Sequence, residues 1–157
     1  DAALIKAFGD KDLKSSKIPL RIALRLREKD QSIAVSEGLA RDALRAAVAG
    51  AGLFEPGTWD GQAADAAARA LPQLVVEARA TGKGSVIVID PSGDASIANA
   101  PELRDADLVL KPEIGSIGPR DFNKRTEAAF KGKTEVNKHI TELRHLVGLP
   151  EQRGGAQ

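Results

Sequence analysis

The sequence predicts a single α/β domain over residues 1–150, followed by a flexible tail at 151–157. Its small, mostly parallel sheet is expected to lie under alanine-rich helices, with a long helical segment near the C-terminal end. Three observations lead there. Ile18, Leu20, Ile22, Leu24 and Leu26 alternate strictly with other residues, the period of a half-buried strand. SVIVID at 85–90 is a continuous β-branched run between turn residues, which is how a strand buried on both faces of a parallel sheet reads. DLVLK at 107–111 repeats that pattern after a short helical stretch near 96–103, and strand, helix, strand in short order defines the α/β class.

The elements follow in order. Residues 1–16 carry a short apolar patch and then a Gly-Asp-Lys-Asp turn. Pro19 confines the alternating segment 18–27 to a strand start or a sheet edge, although its i, i+4 spacings also fit a helix. A turn at REKDQ leads to a short strand at 32–35. Ser36 is then placed to cap a helix through Leu39, Ala43, Leu44, Ala47 and Val48. Gly50 and Gly52 end it, because glycine supplies the left-handed conformation common at helix ends. After a Pro-Gly loop at 54–60, a second helix is expected from about 61 to 80. It would carry Ala64, Ala67, Ala68, Leu71, Leu74, Val75 and Ala78 on one face, with a kink or split at Pro72. The last helical segment, 121–147, would break near Gly132 and bury Phe122, Ala129, Phe130, Val136, Ile140, Leu143 and Val147.

Composition removes several functions. The 157 residues include no Cys, Met or Tyr, one Trp and four Phe, with 26 alanines filling the space. This excludes disulfides, thiolate metal sites, a cysteine nucleophile and an aromatic stacking platform for nucleic acid. With 23 basic and 22 acidic residues the formal charge is +1, so DNA, a possible partner, gains no support from net charge. The basic runs 21–27 and 131–138 are interleaved with acids, as solvated faces are. The longest apolar run, 86–89, is far short of the ~20 residues of a membrane span. A protein partner is expected. The expected compartment is the cytoplasm, or the periplasm or envelope if the chain is a mature product.

The sharpest chemical feature is IDPSGD at 89–94. In open parallel sheets ligands bind beyond the carboxyl ends of the strands, and Asp90 stands at such an end with Asp94 after a Pro-Ser-Gly turn. Two carboxylates there suit Mg²⁺ or an attacking water. They equally suit a plain turn in which Asp90 and Asp94 accept from nearby backbone N–H groups. His139 and His145, six apart, fall on different helix faces and read as surface groups rather than a shared metal site. Ser92 lacks both the G-x-S-x-G elbow and a histidine partner. Trp59, in a Gly/Pro loop beside Asp60, reads as a hydrophobic anchor.

Residues 70–122 resemble the second half of ParA/MinD-type ATPases, the deviant-Walker proteins that partition plasmids and position cell machinery. Leu71-Pro72, Ala78-Arg79, Asp90, Ala106-Asp107 and Pro112 match that family's order and spacing. The resemblance implies ATP and Mg²⁺ as cofactors, with Asp90 and Asp94 as metal or water ligands. It also implies a phosphate loop, for which residues 9–15 are the candidate, with Gly9, Lys11, Lys14 and Ser15 as residual phosphate contacts. That segment lacks the inner glycines and is one residue short. Asp10 and Asp12 repel phosphate, and Leu13 blocks the close backbone approach that glycine permits. The expectation is a ParA/MinD-like partition or positioning protein with an impaired or absent hydrolysis site.

A second resemblance points to another class. KIPLRIALRLRE, followed by EGLARDALRAAVAGAGLFEP, is similar to the start of envelope domains of the TolB amino-terminal and LpoB/CsgG kind. Ala106-Asp107 and Glu113-Ile114 echo their later signature. Pro112 in place of glycine, the absence of further strands after 117 and the extra SVIVID strand depart from it. This resemblance implies a non-catalytic, envelope-associated binding module that acts through protein–protein contacts.

Overall fold

The computed structural model describes residues 2–50, 53–118 and 120–150, so the expected tail at 151–157 lies outside the described residues, as do Gly52 and Pro119. The sequence reading placed one domain over 1–150. By its contacts the chain divides into two compact units, Asp1–Ala70 and Leu71–Gln157, each with its own sheet.

The first unit contains α1 (Ala2–Phe8), a 3₁₀ turn (Leu13–Ser15), β1 (Ile22–Leu26), β2 (Gln31–Val35), α2 (Ala40–Ala47), β3 (Gly57–Trp59) and β4 (Gln62–Ala66). Its four strands run in the order β2-β1-β4-β3, and every neighbouring pair is antiparallel. The mostly parallel sheet is therefore a wrong expectation. Two tight hairpins, which force antiparallel pairing, explain why. One turns at 27–30, with Asp30 at φ 47°. The other turns at Asp60-Gly61, with φ 49° and 75°. Asp-Gly with both residues at positive φ is the favoured two-residue hairpin connection.

The second hairpin also corrects the helix expected from 61 to 80. Residues 62–66 are strand β4, paired with β1 and β3, and the helix starts only at Leu71. Pro72 consequently sits in the helix's first turn, where its missing N–H costs nothing, and produces no kink. In β1 the alternation holds from Ile22 onward: Ile22, Leu24 and Leu26 point into the core, while Ile18 and Leu20 lie before the strand, exposed. The core gathers Leu13, these three side chains, Ala40, Ala43, Ala46 and Ala64. Small residues let α2 sit close on the sheet, and a Cβ added to Gly57 would stand 3.0 Å from the Ala46 backbone nitrogen.

The second unit contains α3 (Leu71–Ala80), β5 (Ile87–Ile89), α4 (Ala95–Ala98), a 3₁₀ turn (Pro101–Asp105), β6 (Leu108–Leu110), another 3₁₀ turn (Phe122–Lys124), α5 (Arg125–Lys138) and α6 (Ile140–Leu146). Here the expected parallel pair is present, with Ile87, Val88 and Ile89 opposite Leu108, Val109 and Leu110. Val75, Val86, Val88 and Leu103 form its core. Burial on both faces of β5 does not hold, because Ile89 is exposed. The C-terminal helices also differ from expectation. The break falls at His139 rather than Gly132, and Phe122, Phe130, Val136, Ile140 and Val147 are exposed instead of buried. Among the described residues no helix is long and apolar enough to cross a membrane.

One ion pair ties the first sheet together. Arg25 on β1 and Asp65 on β4 are register partners, and the guanidinium grips the carboxylate with Nε–Oδ1 and Nη2–Oδ2 both at 2.8 Å. That hydrogen bonding holds the Asp65 carboxyl below its ordinary value against the opposing effect of burial. Arg25→Ala would remove both close hydrogen bonds from the buried Asp65 and leave it only Arg27, whose Nε stands 3.7 Å from Oδ2. The variant should unfold at lower urea, by less than the loss of a fully buried pair would give, because solvent screens the exposed guanidinium. A depressed carboxylate contributes fully above its unfolded pKa and loses that contribution as pH falls through the folded one. The stability gap between the wild type and Arg25→Ala, read from urea unfolding, should therefore be wide at pH 7 and narrow below pH 3.8.

Candidate functional site

The candidate phosphate loop is built around a carboxylate. Asp12 caps the Leu13–Ser15 turn: its Oδ1 accepts from the Lys14 N–H at 2.9 Å, and its backbone oxygen accepts from the Ser15 hydroxyl at 2.6 Å. Its Oδ2 reaches across to the Gly38 N–H at 3.1 Å. The backbones lace the same two segments together, Leu13 N–H donating to Gly38 O at 2.8 Å and Ala40 N–H to Lys11 O at 2.9 Å. An anion cradle needs free N–H groups converging on one point. Here the amides of Lys14 and Gly38 already converge on Asp12. Gly9 takes φ 53° in the turn after α1, and Leu13 is core. The loop thus brings Gly9, Lys11, Lys14 and Ser15 into one segment, with the Asp12 carboxylate as acceptor for the amides of Lys14 and Gly38. The Ala40 amide is satisfied by Lys11, so Ser36 makes no cap; the residue before α2 is Leu39.

Asp90 and Asp94 lie where expected, after β5, and each serves the local turn. Asp90 is buried, and its Oδ1 accepts from the Ser92 N–H at 3.0 Å and the Ser92 hydroxyl at 2.5 Å. Asp94 caps α4, its Oδ1 accepting from the Ser96 N–H at 2.8 Å and the Ser96 hydroxyl at 2.6 Å. Ser92 links the two, its oxygen accepting from the Asp94 N–H at 3.1 Å. Among the described residues no group of three or more His, Cys, Asp or Glu is placed to hold a metal ion. His139 has carboxylates for neighbours, Glu142 at 3.3 Å and Glu135 at 3.7 Å.

Two other residues of the ATPase-like pattern meet each other. Arg79, at the end of α3, places Nη2 2.8 Å from Asp107 Oδ2, and the same oxygen accepts from the Val86 N–H at 2.7 Å. The Val86 amide, then Arg79, hold the Asp107 carboxyl below its ordinary value. The Ala-Asp motif therefore joins α3 to the starts of β5 and β6, a structural task.

The feature that sequence reasoning missed is a cleft in the first unit. It lies between the end of β2, the 36–39 loop, the start of α2 and the β3–β4 turn, and encloses about 480 Å³. Trp59 forms one wall. Glu37, Asp42 and Asp60 line it together with Val35 and Gly38, and among the described residues no basic one does. Asp42 has Arg41 beside it at 3.6 Å. The Trp59 ring can come this close because residue 38 is glycine: φ is +94°, and an added Cβ would stand 2.7 Å from Cη2. An aromatic face with carboxylates around it attracts cations by charge and by the ring's quadrupole. The available signal was the Trp-Asp-Gly sequence itself, a hairpin turn that projects an aromatic and an acid at one end of a sheet.

No protein-family model and no curated protein matches this chain.

Asp12→Ala removes a cap and leaves the Lys14 and Gly38 amides without their acceptor. Denaturant unfolding should show a loss of about 1–2 kcal/mol, in the range of a deleted helix cap. An unchanged midpoint would mean that the Asp12 contacts carry no stability.

Proposed function

We propose that this chain is a non-catalytic binding module that acts through protein contacts, its first unit holding a basic side chain of a partner in the Trp59 cleft. The observation that supports this most is the lining itself: among the described residues, one tryptophan, three carboxylates and no cation, in a space of about 480 Å³. Cation–π attraction at an exposed site contributes about 0.5–1 kcal/mol, and each exposed carboxylate contributes at most about 1. A single lysine or arginine then gives weak, salt-sensitive binding, and useful affinity requires neighbouring contacts along the same segment.

The partition-ATPase reading draws its support from the parallel β5–β6 pair with Asp90 after the carboxyl end of β5. It finds least support at residues 9–15, where Asp12 holds the amides that a phosphate would need. Asp90 and Asp94 remain the ligands that reading would assign to Mg²⁺, and both already accept two hydrogen bonds from serines.

Trp59 is the chain's only tryptophan, so its fluorescence reports on the cleft directly. Titration with a lysine- and arginine-containing peptide should change that emission in a saturable way. An acidic peptide of equal length should leave it unaltered. The double variant Glu37→Gln/Asp60→Asn should weaken the basic peptide by roughly five- to tenfold at low salt, and added salt should shrink the difference. Equal responses to both peptides, or none to either, would overturn the proposal.

A further inference from the structure

A helix normally stays on its domain by burying an apolar stripe, which is where most helical stability in proteins comes from. α5 and α6 are attached differently. The only buried residue of α5 is Glu135, and α6 has none. The apolar side chains face water instead: Phe122 is 75% exposed, Phe130 69%, Val147 55% and Ile140 44%. Ala128, Leu143 and Leu146 are only half-buried.

What joins these helices to the rest of the second unit is a set of polar contacts. Glu135 Oε1 accepts from the Lys111 N–H, just after β6, at 3.0 Å. Within the helix itself, the other oxygen of Glu135 accepts from the Lys138 ammonium at 3.1 Å, and His139 Nε2 stands 3.7 Å from Oε1, so these two groups orient the carboxylate. Lys131 donates to the Ser116 hydroxyl at 3.0 Å, and the Ser85 hydroxyl donates to the Leu146 carbonyl at 3.3 Å. By contrast α3 and the 101–105 turn share an apolar core with β5 and β6.

We infer that α5–α6 is a strap that opens from the second unit as a body, with Glu135 as its latch, while α3, β5 and β6 stay folded. The net contribution of a protein hydrogen bond is small, because folding only exchanges it for bonds to water, so a segment held mainly by such bonds belongs to the low-stability end of the structure. Glu135 dominates because it is the one buried group of the helix and because it satisfies a strand-end amide that would otherwise lack an acceptor.

The test is native-state hydrogen exchange, residue by residue, on the whole chain. In the unaltered protein the amides of α5 and α6 should exchange through a common opening faster than those of α3, β5 and β6. Glu135→Ala should raise the α5–α6 and Lys111 rates by roughly tenfold or more, with α3, β5 and β6 unaffected. Lys138→Ala, which leaves the Lys111 contact in place, should raise them less. Equal protection across the second unit, or a Glu135→Ala effect of the same size in α3 and β5, would overturn the latch. Should Glu135→Ala not fold, the wild-type comparison and Lys138→Ala decide the matter by the same criteria.

Discussion

The first unit depends on Asp12. Its carboxylate binds two amides, that of Lys14 in its own turn and that of Gly38, 26 residues from Asp12 and just before α2. The reciprocal bonds of Leu13 to Gly38 and of Ala40 to Lys11 make the junction a short ladder rather than a single contact. Three consequences follow. Leu13 is driven into the core, the start of α2 is capped by backbone instead of a side chain, and Gly38 is held at φ +94° beneath the Trp59 ring. The cleft is a product of that last constraint. The Asp12 carboxylate thus takes both of these amides as donors within the fold itself.

α2 in the first unit and α5 in the second are held by opposite means. α2 rests on its sheet through Ala40, Ala43 and Ala46, small enough to bring Gly57 and Ala64 into contact distance, so shape and close approach do the holding. α5 turns a carboxylate inward and its phenylalanine outward. The first arrangement is stiff, as close-packed interiors are. The second leaves Phe130 and Val136 in water on a helix whose one buried residue is Glu135.

β5 and β6 were readable because a continuous β-branched run between turns has few alternatives, and their parallel pairing followed from the short helical connection. The hairpin at Asp60-Gly61 was not read, because GQAADAAARA is rich in alanine, the best helix former; pairing to both β1 and β3 overrides that propensity. The apolar residues from Phe122 to Val147 read as a buried stripe, yet Phe122, Phe130, Val136, Ile140 and Val147 are exposed. Apolar spacing says nothing of what covers a residue, so their exposure was invisible. At the candidate loop the repulsive charge of Asp12 was legible from residue type. Its bond to Gly38 was not, since no local pattern links positions 12 and 38.

The central claim is that the Lys14 and Gly38 amides are committed to the Asp12 carboxylate. Amide NMR of the whole chain, titrated with Mg-ATP to millimolar concentration, tests it at the relevant atoms. The account predicts that the Lys14 and Gly38 N–H resonances stay where they are, because their acceptor is already in position. Saturable shifts at those two amides, with Lys11 and Ser15 moving alongside, would contradict it.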